Sequence, residues 1–325
     1  MNRISVTLAA LLLAAIPLSL LAGRVWVDPA VTPNALAILA ELRLPRALLA
    51  VVVGAGLGGA GAAMQGYLRN PLADPGLFGI APGAALGAVI ALYVGASLAR
   101  PGAAWLVPGF ALIGAGAAMA LLALIAGRTA SPAHGIALFT LSGMMIASLA
   151  GALTSLAISL APNAFALSSI VTWLMGALTD RSWNDVALAA PLTLAGLAVL
   201  RGAGRSLDAL TLGEEAARSL GVQPGRLMAL LVIGTGLTVG SGVAVAGIIG
   251  FVGLIVPHLV RPFTDRRPSA LILPSALAGG LLVLVADVVC RLLPLVTELR
   301  LGIALSLIGA PFFLALLLRM RRGLA

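Results

Sequence analysis

The sequence predicts an all-α, polytopic membrane protein of about ten transmembrane helices, folded as a single domain over residues 1–325. Three observations carry this. Hydrophobic residues make up 61% of the chain and charged ones only 10%, where soluble domains hold about 25% charged residues. The mean hydropathy is +1.12. Arginines and a few acids divide the chain into charge-free runs, and about 20 mostly apolar residues suffice to cross a bilayer.

Taken in order, the runs place spans at 4–23, between Arg3 and Arg24, and at 47–68, between Arg46 and Arg69. Two more follow at 75–99 and 101–127, on either side of Arg100. The run 129–179 is too long for one helix; it reads as a span near 136–160 and a shorter helix near 166–178 that need not cross. A short sixth span fits 186–200. The run 227–260 is long enough for two, with a break around Gly240 to Gly247, and 268–286 and 301–318 complete the set. Residues 1–22 resemble a signal peptide in having Arg3 ahead of an apolar stretch. That stretch is longer than an ordinary signal core and nine spans follow, so it reads as an uncleaved first helix.

Ten spans put both termini on one side of the membrane, and the arginines choose the side. With the termini in the cytoplasm, 13 face it: Arg3, Arg69, Arg128, Arg201, Arg205, Arg218, Arg226, Arg261, Arg266, Arg267, Arg319, Arg321 and Arg322. Seven face the other way: Arg24, Arg43, Arg46, Arg100, Arg181, Arg291 and Arg300. An excess of basic residues in cytoplasmic loops is the ordinary pattern. It also accounts for the net charge of +9 without invoking nucleic acid as a partner.

Absences narrow the chemistry. The chain has no Lys, so it holds no Walker A site. Two histidines far apart, His134 and His258, and one cysteine, Cys290, supply no metal-ligand spacing and no internal disulfide. No cofactor, metal site or catalytic residue is predicted, which favours a transporter over an enzyme.

The spans are rich in small residues. Gly54, Gly58, Ala62 and Gly66 recur every fourth position, and Gly83–Gly87 and Gly236–Gly240 repeat the spacing. In lipid this lets backbones approach closely. Pro108, Pro191, Pro257, Pro274 and Pro311 imply kinks.

The longest polar stretch is 201–226. Thr211 and Glu214 fit a capping box, Glu214 and Glu215 precede Arg218 at helical spacing, Gly221 suits the C′ position, and Pro224 prevents resumption. The expectation is a two-turn cytoplasmic helix over 212–220, read either as a solvated loop stabiliser or as a docking element for a cytoplasmic partner.

The segment GEEAARSLGV at 213–222 resembles the coupling-helix segment of the FecCD family of ABC importer permeases. Other segments agree in order: RLPR at 43–46, RNPLADPGLFGI at 69–80, GAALGA at 83–88, WLMGAL at 173–178 and GIIGFVGLIVPHLVR at 247–261, the most specific. LPSALAGGLLVLVADVVCR at 273–291 and ELRLGIALSLIGAPFF at 298–313 extend the match to the C-terminal region. The family imports iron–siderophores, haem and vitamin B12. Membership implies a type II importer permease in the bacterial inner membrane, working as a homodimer. Its partners would be two cytoplasmic ATP-binding subunits and a periplasmic substrate-binding protein. Glu214, Glu215, Ala217, Arg218, Leu220 and Gly221 would form the coupling helix seated on the ATPase. Arg43, Arg46 and Arg291 would dock the binding protein.

For Arg43 and Arg46 the residues alone also allow snorkelling at the membrane interface, and Asp287 and Arg291, at i, i+4, also read as neutralising each other. The chain departs from the family pattern at Pro82, where Ser or Asn is usual, and at Arg300, where Pro is usual. Pro82 bears on the start of the third helix, and Arg300 adds positive charge on the periplasmic side.

His258 reads as making a helix-end hydrogen bond and His134 as lying at the cytoplasmic mouth of the fifth span. Asn70 reads as a helix stop, Gln65 as facing other helices, Met144 and Met145 as lining the pathway or, by default, as core, and Cys290 as a small apolar residue. The functional expectation is ATP-driven import of an iron–siderophore, with haem or cobalamin as alternatives. An ion-coupled secondary transporter is the rival class; it calls for ionisable residues near the midplane, and the long runs hold none.

Overall fold

The computed structural model describes residues 3–23, 25–29, 31–98, 105–127 and 135–322. Thirteen helices follow in order among them: α1 (Arg3–Leu21), α2 (Ala35–Leu68), α3 (Ile80–Leu98), α4 (Leu106–Ala126), α5 (Gly135–Ser159), α6 (Ala164–Leu174), α7 (Trp183–Gly202), α8 (Gly204–Leu210), α9 (Glu214–Ser219), α10 (Pro224–Ala246), α11 (Val252–Val260), α12 (Pro268–Leu292) and α13 (Leu301–Arg322).

Eight of these are long and apolar enough to cross a membrane: α1, α2, α4, α5, α7, α10, α12 and α13. The third expected span is a shorter apolar helix, α3, and the eighth is shorter still, because α10 continues unbroken through Gly240 to Ala246 and α11 has nine residues. The short span expected at 186–200 is a full 20-residue helix, and the helix expected near 166–178 is α6.

Helix α2 opens with a π-turn over Ile38–Arg43. Pro45 explains it: proline lacks the N–H and crowds the carbonyl four residues back, and a wider i→i+5 turn relieves that clash. Leu44 N–H accordingly reaches Leu39 O.

Helices α2 and α10 form the buried centre, and α12 lies along α2. The close approach is made by glycine. A Cβ at Gly54 would strike the Gly279 carbonyl, and one at Gly58 the Ser275 carbonyl, both on α12. Gly83 and Gly87 meet α4 in the same way, and Gly236 and Gly240 meet Met119 and Ala115 of α4. The small-residue spacing is therefore used for packing within the chain.

Irregular backbone occurs where other backbone covers it, as a water-free interior requires. One break spans a 3₁₀ turn at Pro75–Phe78 and Gly79, and another runs from Gly247 to Phe251. A third, at Gly176, is stitched to the end of α10 and the start of α13: Ala177 N–H donates to Ala246 O at 2.8 Å, and Gly302 N–H donates to Gly176 O at 3.2 Å. Gly176 and Gly247 both have positive φ, at 69° and 72°, which glycine alone adopts without strain.

Candidate functional site

At one end of the bundle, α7 ends at Gly202 and the chain folds into the short helices α8 and α9 before α10 begins. The capping box expected at Thr211 does not form. Thr211 ends α8, its hydroxyl donating to Asp208 O at 2.6 Å, and Gly213, at φ 104°, is the N-cap of α9. The helix is thus Glu214–Ser219 rather than 212–220: the α8 turn consumes Thr211, and only glycine takes the backbone angle that redirects the chain.

The C-terminal expectation holds. Gly221 is left-handed at φ 86°. Its N–H donates to Arg218 O at 2.8 Å, while Val222 N–H donates to Ala217 O at 3.0 Å, the paired bonds of a Schellman motif. Pro224 opens α10.

Six residues cannot hold a helix alone, so tertiary contact holds α9. Ala217 is 2% exposed and belongs to the main core, with Leu207 and Leu210 of α8. Glu214 pairs with Arg69 at 3.8 Å, across the chain from α2, and not with Arg218. Beyond its two ends, Leu212 and Leu220 are 67% and 65% exposed. Beneath α9 a cavity of about 100 Å³ is lined by Tyr67, Glu214, Ala217, Arg218 and Met228.

The far end of the bundle gathers charge. Arg46 donates to both carboxylate oxygens of Asp287 at 2.9–3.1 Å and to Glu298 Oε2 at 2.9 Å. Arg291, one turn after Asp287, stands 3.1 Å from Asp287 Oδ2, which it shares with Arg46, and donates to Ser19 Oγ at 2.8 Å and Ala22 O at 3.0 Å. Arg43 donates to Leu20 O, Leu21 O, Ala22 O and Val25 O at 2.6–3.3 Å. Two guanidiniums therefore hold the orphan carbonyls at the end of α1, the groups a helix C-terminus leaves unpaired.

The geometry places all three arginines expected to dock the binding protein, Arg43, Arg46 and Arg291, at this one end of the bundle. Their donors turn inward because α1, Asp287 and Glu298 supply acceptors, so the side chains are engaged within the chain. Asp287 and Arg291 do pair, but as part of a set that includes Arg46. Sequence spacing gave no sign of Glu298, which also accepts from Thr179 at 3.3 Å. Burial tends to raise the Glu298 pKa, but the Arg46 hydrogen bond and charge, with Thr179, hold it below the ordinary value.

Other expectations divide. Gln65 faces other elements, donating to Gly253 O and Leu254 O at 3.3 Å and accepting from Arg261 at 2.8 Å. Cys290 is buried. The end of α2 is capped by Arg69, left-handed at φ 50°, while the Asn70 side chain accepts from Leu72 N–H in the turn that follows. Met144 and Met145 are 53% and 70% exposed, so they are surface residues of α5 and not core. The α3 helix starts at Ile80 despite Pro82, which lies in the first turn, where its missing N–H costs nothing. The ring of His258 packs edge-on to Phe312 at 6.0 Å. His134 lies outside the described residues.

The FecCD transport family model matches residues 11–319. The chain belongs to the FecCD transport family. Among its relatives, the cobalamin import system permease BtuC of Halobacterium salinarum is 39% identical over 88% of this chain and 75% of its own. The Fe(3+) dicitrate transport system permease FecD of Escherichia coli K12 is 38% identical over 87% of this chain and 86% of its own. A solved structure described as an inward-facing conformation of a metal-chelate type ABC transporter superposes with a TM-score of 0.88. It is 31% identical and covers 98% of this chain and 99% of the other. This FecCD chain is therefore the permease subunit of an ABC importer and a multi-pass membrane protein, and in its family the ATPase activity lies in a separate subunit.

Proposed function

We propose that this FecCD permease imports a ferric chelate by alternating access, as a homodimer with the pathway at its two-fold axis. Two ATPase subunits dock at α9 in the cytoplasm, and a substrate-binding protein docks at the opposite, periplasmic end. Both termini lie in the cytoplasm, on the side where arginine is in excess.

The observation that carries this reading is the form of α9. It is a six-residue helix held from behind by Ala217 and capped by two positive-φ glycines, and it presents Leu212 and Leu220 outward. A short helix anchored on one side, with Glu215 and Arg218 exposed on the other and an exposed leucine beyond each end, suits a rigid lever between two subunits. ATP-driven closure of the ATPases displaces it, and the displacement reaches α10 through Gly221 and Pro224. Glu214, Glu215 and Arg218 supply the polar rim of that contact.

The experiment is uptake into proteoliposomes containing the permease, its ATPase and its binding protein. Import should require ATP and the binding protein and persist when ionophores collapse every ion gradient. Uptake abolished by ionophores at constant ATP would instead assign the chain to ion-coupled transport.

A further inference from the structure

A second pocket lies at the Arg46 end, beyond the ion network, where α6, the segment after Gly176 and the start of α13 converge. Its volume is about 360 Å³, within the range of small-ligand sites. Arg181 and Arg300 both line it, with the indole of Trp173 as one wall.

Neither guanidinium is neutralised as the arginines of the ion network are. Arg300 is half-buried and has no hydrogen-bond or ion-pair partner among the described residues. Arg181 stands 3.9 Å from Asp185, a loose pair, and its Nε is buried without a partner. Asp185 is already committed, accepting from Ser182 N–H and the Ser182 hydroxyl in the capping box of α7. Burial pushes the Arg181 guanidinium below its ordinary pKa. Asp185 and Asp180 oppose this, while the charge of Arg300 adds to it. The two cations therefore feel each other, an unfavourable arrangement that an anion between them reverses.

The hydroxyls point to the same chemistry. Thr140, Ser155 and Ser306 each bond back to the carbonyl four residues earlier. Ser168, Ser169 and Thr172 line this pocket from α6 and make no such bond among the described residues, so their donors remain available. Asp180, left-handed at φ 58° and exposed, also lines the pocket and offsets part of the charge. Two forked cations and three hydroxyls line the pocket against one lining carboxylate, Asp180, while Asp185, outside the lining, holds Arg181 only loosely at 3.9 Å. Guanidiniums bind carboxylates bidentately.

We infer that this pocket binds the carboxylate groups of the imported substrate, which makes that substrate an anionic, carboxylate-bearing ferric chelate and not a neutral one. The inference rests on the importer reading and adds the substrate's chemical class.

The test is equilibrium dialysis of the purified permease in nanodiscs against radio-iron dicitrate, with ferrichrome, a neutral ferric hydroxamate, as the comparison. Saturable dicitrate binding is expected, weakened about tenfold or more by Arg300→Gln and by Arg181→Gln, which is about 1.4 kcal/mol or more. Arg300→Lys should recover part of it and Asp180→Asn should tighten it. Thr172→Val, which leaves both charges in place, should weaken it by a smaller factor.

Equal binding of ferrichrome and dicitrate overturns the inference, as does dicitrate binding that is absent in the wild type or unchanged in the double arginine variant. So does a loss seen only when the binding protein is present, which would assign the arginines to protein docking. Association of the permease with its ATPase subunit is measured in parallel. Its failure strikes the importer reading alone, because no residue of this pocket lies near α9.

Discussion

Arg46 grips Asp287 through three hydrogen bonds of 2.9–3.1 Å and so ties α2 to α12 at one end of the bundle. Both residues are largely buried, with side-chain exposures of 13% and 1%. Breaking such a pair from one side leaves an uncompensated charge, at about 3–5 kcal/mol. Arg46→Ala should lower the unfolding temperature in detergent clearly. Asp287→Ala should lower it further, because Asp287 also pairs with Arg291. Equal and small shifts for both would show that the network is not stabilising.

Arg43 has a different task, and its loss should be local. Its guanidinium donates to four carbonyls between Leu20 and Val25. Hydrogen bonds from a charged donor contribute about 1.5–3 kcal/mol each at most, less where water competes. Arg43→Met should raise amide hydrogen exchange at Ala22 and Val27, whose N–H groups bond to Leu18 O and Leu21 O. Exchange along α10 should not change. Uniform acceleration across the bundle would make Arg43 a global rather than a local clamp.

Glu298 gives the network a pH dependence. Its pKa in the folded chain lies below the ordinary glutamate value because Arg46 and Thr179 favour the charged form over the cost of burial. A carboxylate depressed on folding contributes stability above its unfolded pKa and loses it as pH falls through the lower, folded value. The wild type should therefore be more stable than Glu298→Gln at neutral pH. The difference should shrink on acidification from the ordinary glutamate range downward. A gap that widens in acid would reverse the assigned sign.

Topology follows from the helix count. Between Asn34 and Ser206 lie four helices long and apolar enough to cross, α2, α4, α5 and α7, and the shorter apolar helices α3 and α6; with α3, of 19 residues, taken as a fifth crossing and the 11-residue α6 not, the two positions fall on opposite faces. Asn34→Cys should then label only from the periplasm and Ser206→Cys only from the cytoplasm. The native Cys290 is buried and should contribute little background. Labelling of both from one face would remove the arrangement.

Much of this was legible in the sequence for physical reasons, and the misses have physical reasons too. Charge-free runs reveal helices because a charged side chain is excluded from lipid, so α1, α4, α5, α12 and α13 follow from the positions of arginine. Glycine and proline mark the ends of α9 and the start of α10. What the runs do not reveal is which apolar stretch is interrupted: Gly240 lies inside α10, while Gly247 and Phe251 break the chain. Long-range partners were equally hidden. Arg46 and Asp287 are 241 positions apart, and no local pattern joins them. The short helix α9 was legible from its residues, but Thr211 belonged to the preceding turn, because α8 ends there and leaves no room for a cap.

Helix α9 offers the sharpest test of mechanism. Ala217 donates to Gly213 O at 3.0 Å and is 2% exposed, so it both closes the helix's backbone bond and anchors it to the core. Proline at this position removes the donor and drives its ring into the preceding turn, at about 3 kcal/mol. That exceeds what a six-residue helix can absorb, since isolated helices of this length are unstable in water. The spans do not depend on this bond, so Ala217→Pro should insert normally. It should abolish both uptake and the ATP hydrolysis that substrate stimulates in the assembled complex, while binding-protein association in the absence of nucleotide persists. Gly221→Ala is the graded companion: at φ 86° a side chain costs about 1–2 kcal/mol, so coupling should be impaired but not lost. A correctly inserted Ala217→Pro permease that still imports at the wild-type rate would show that force from the ATPase enters the membrane bundle somewhere other than α9.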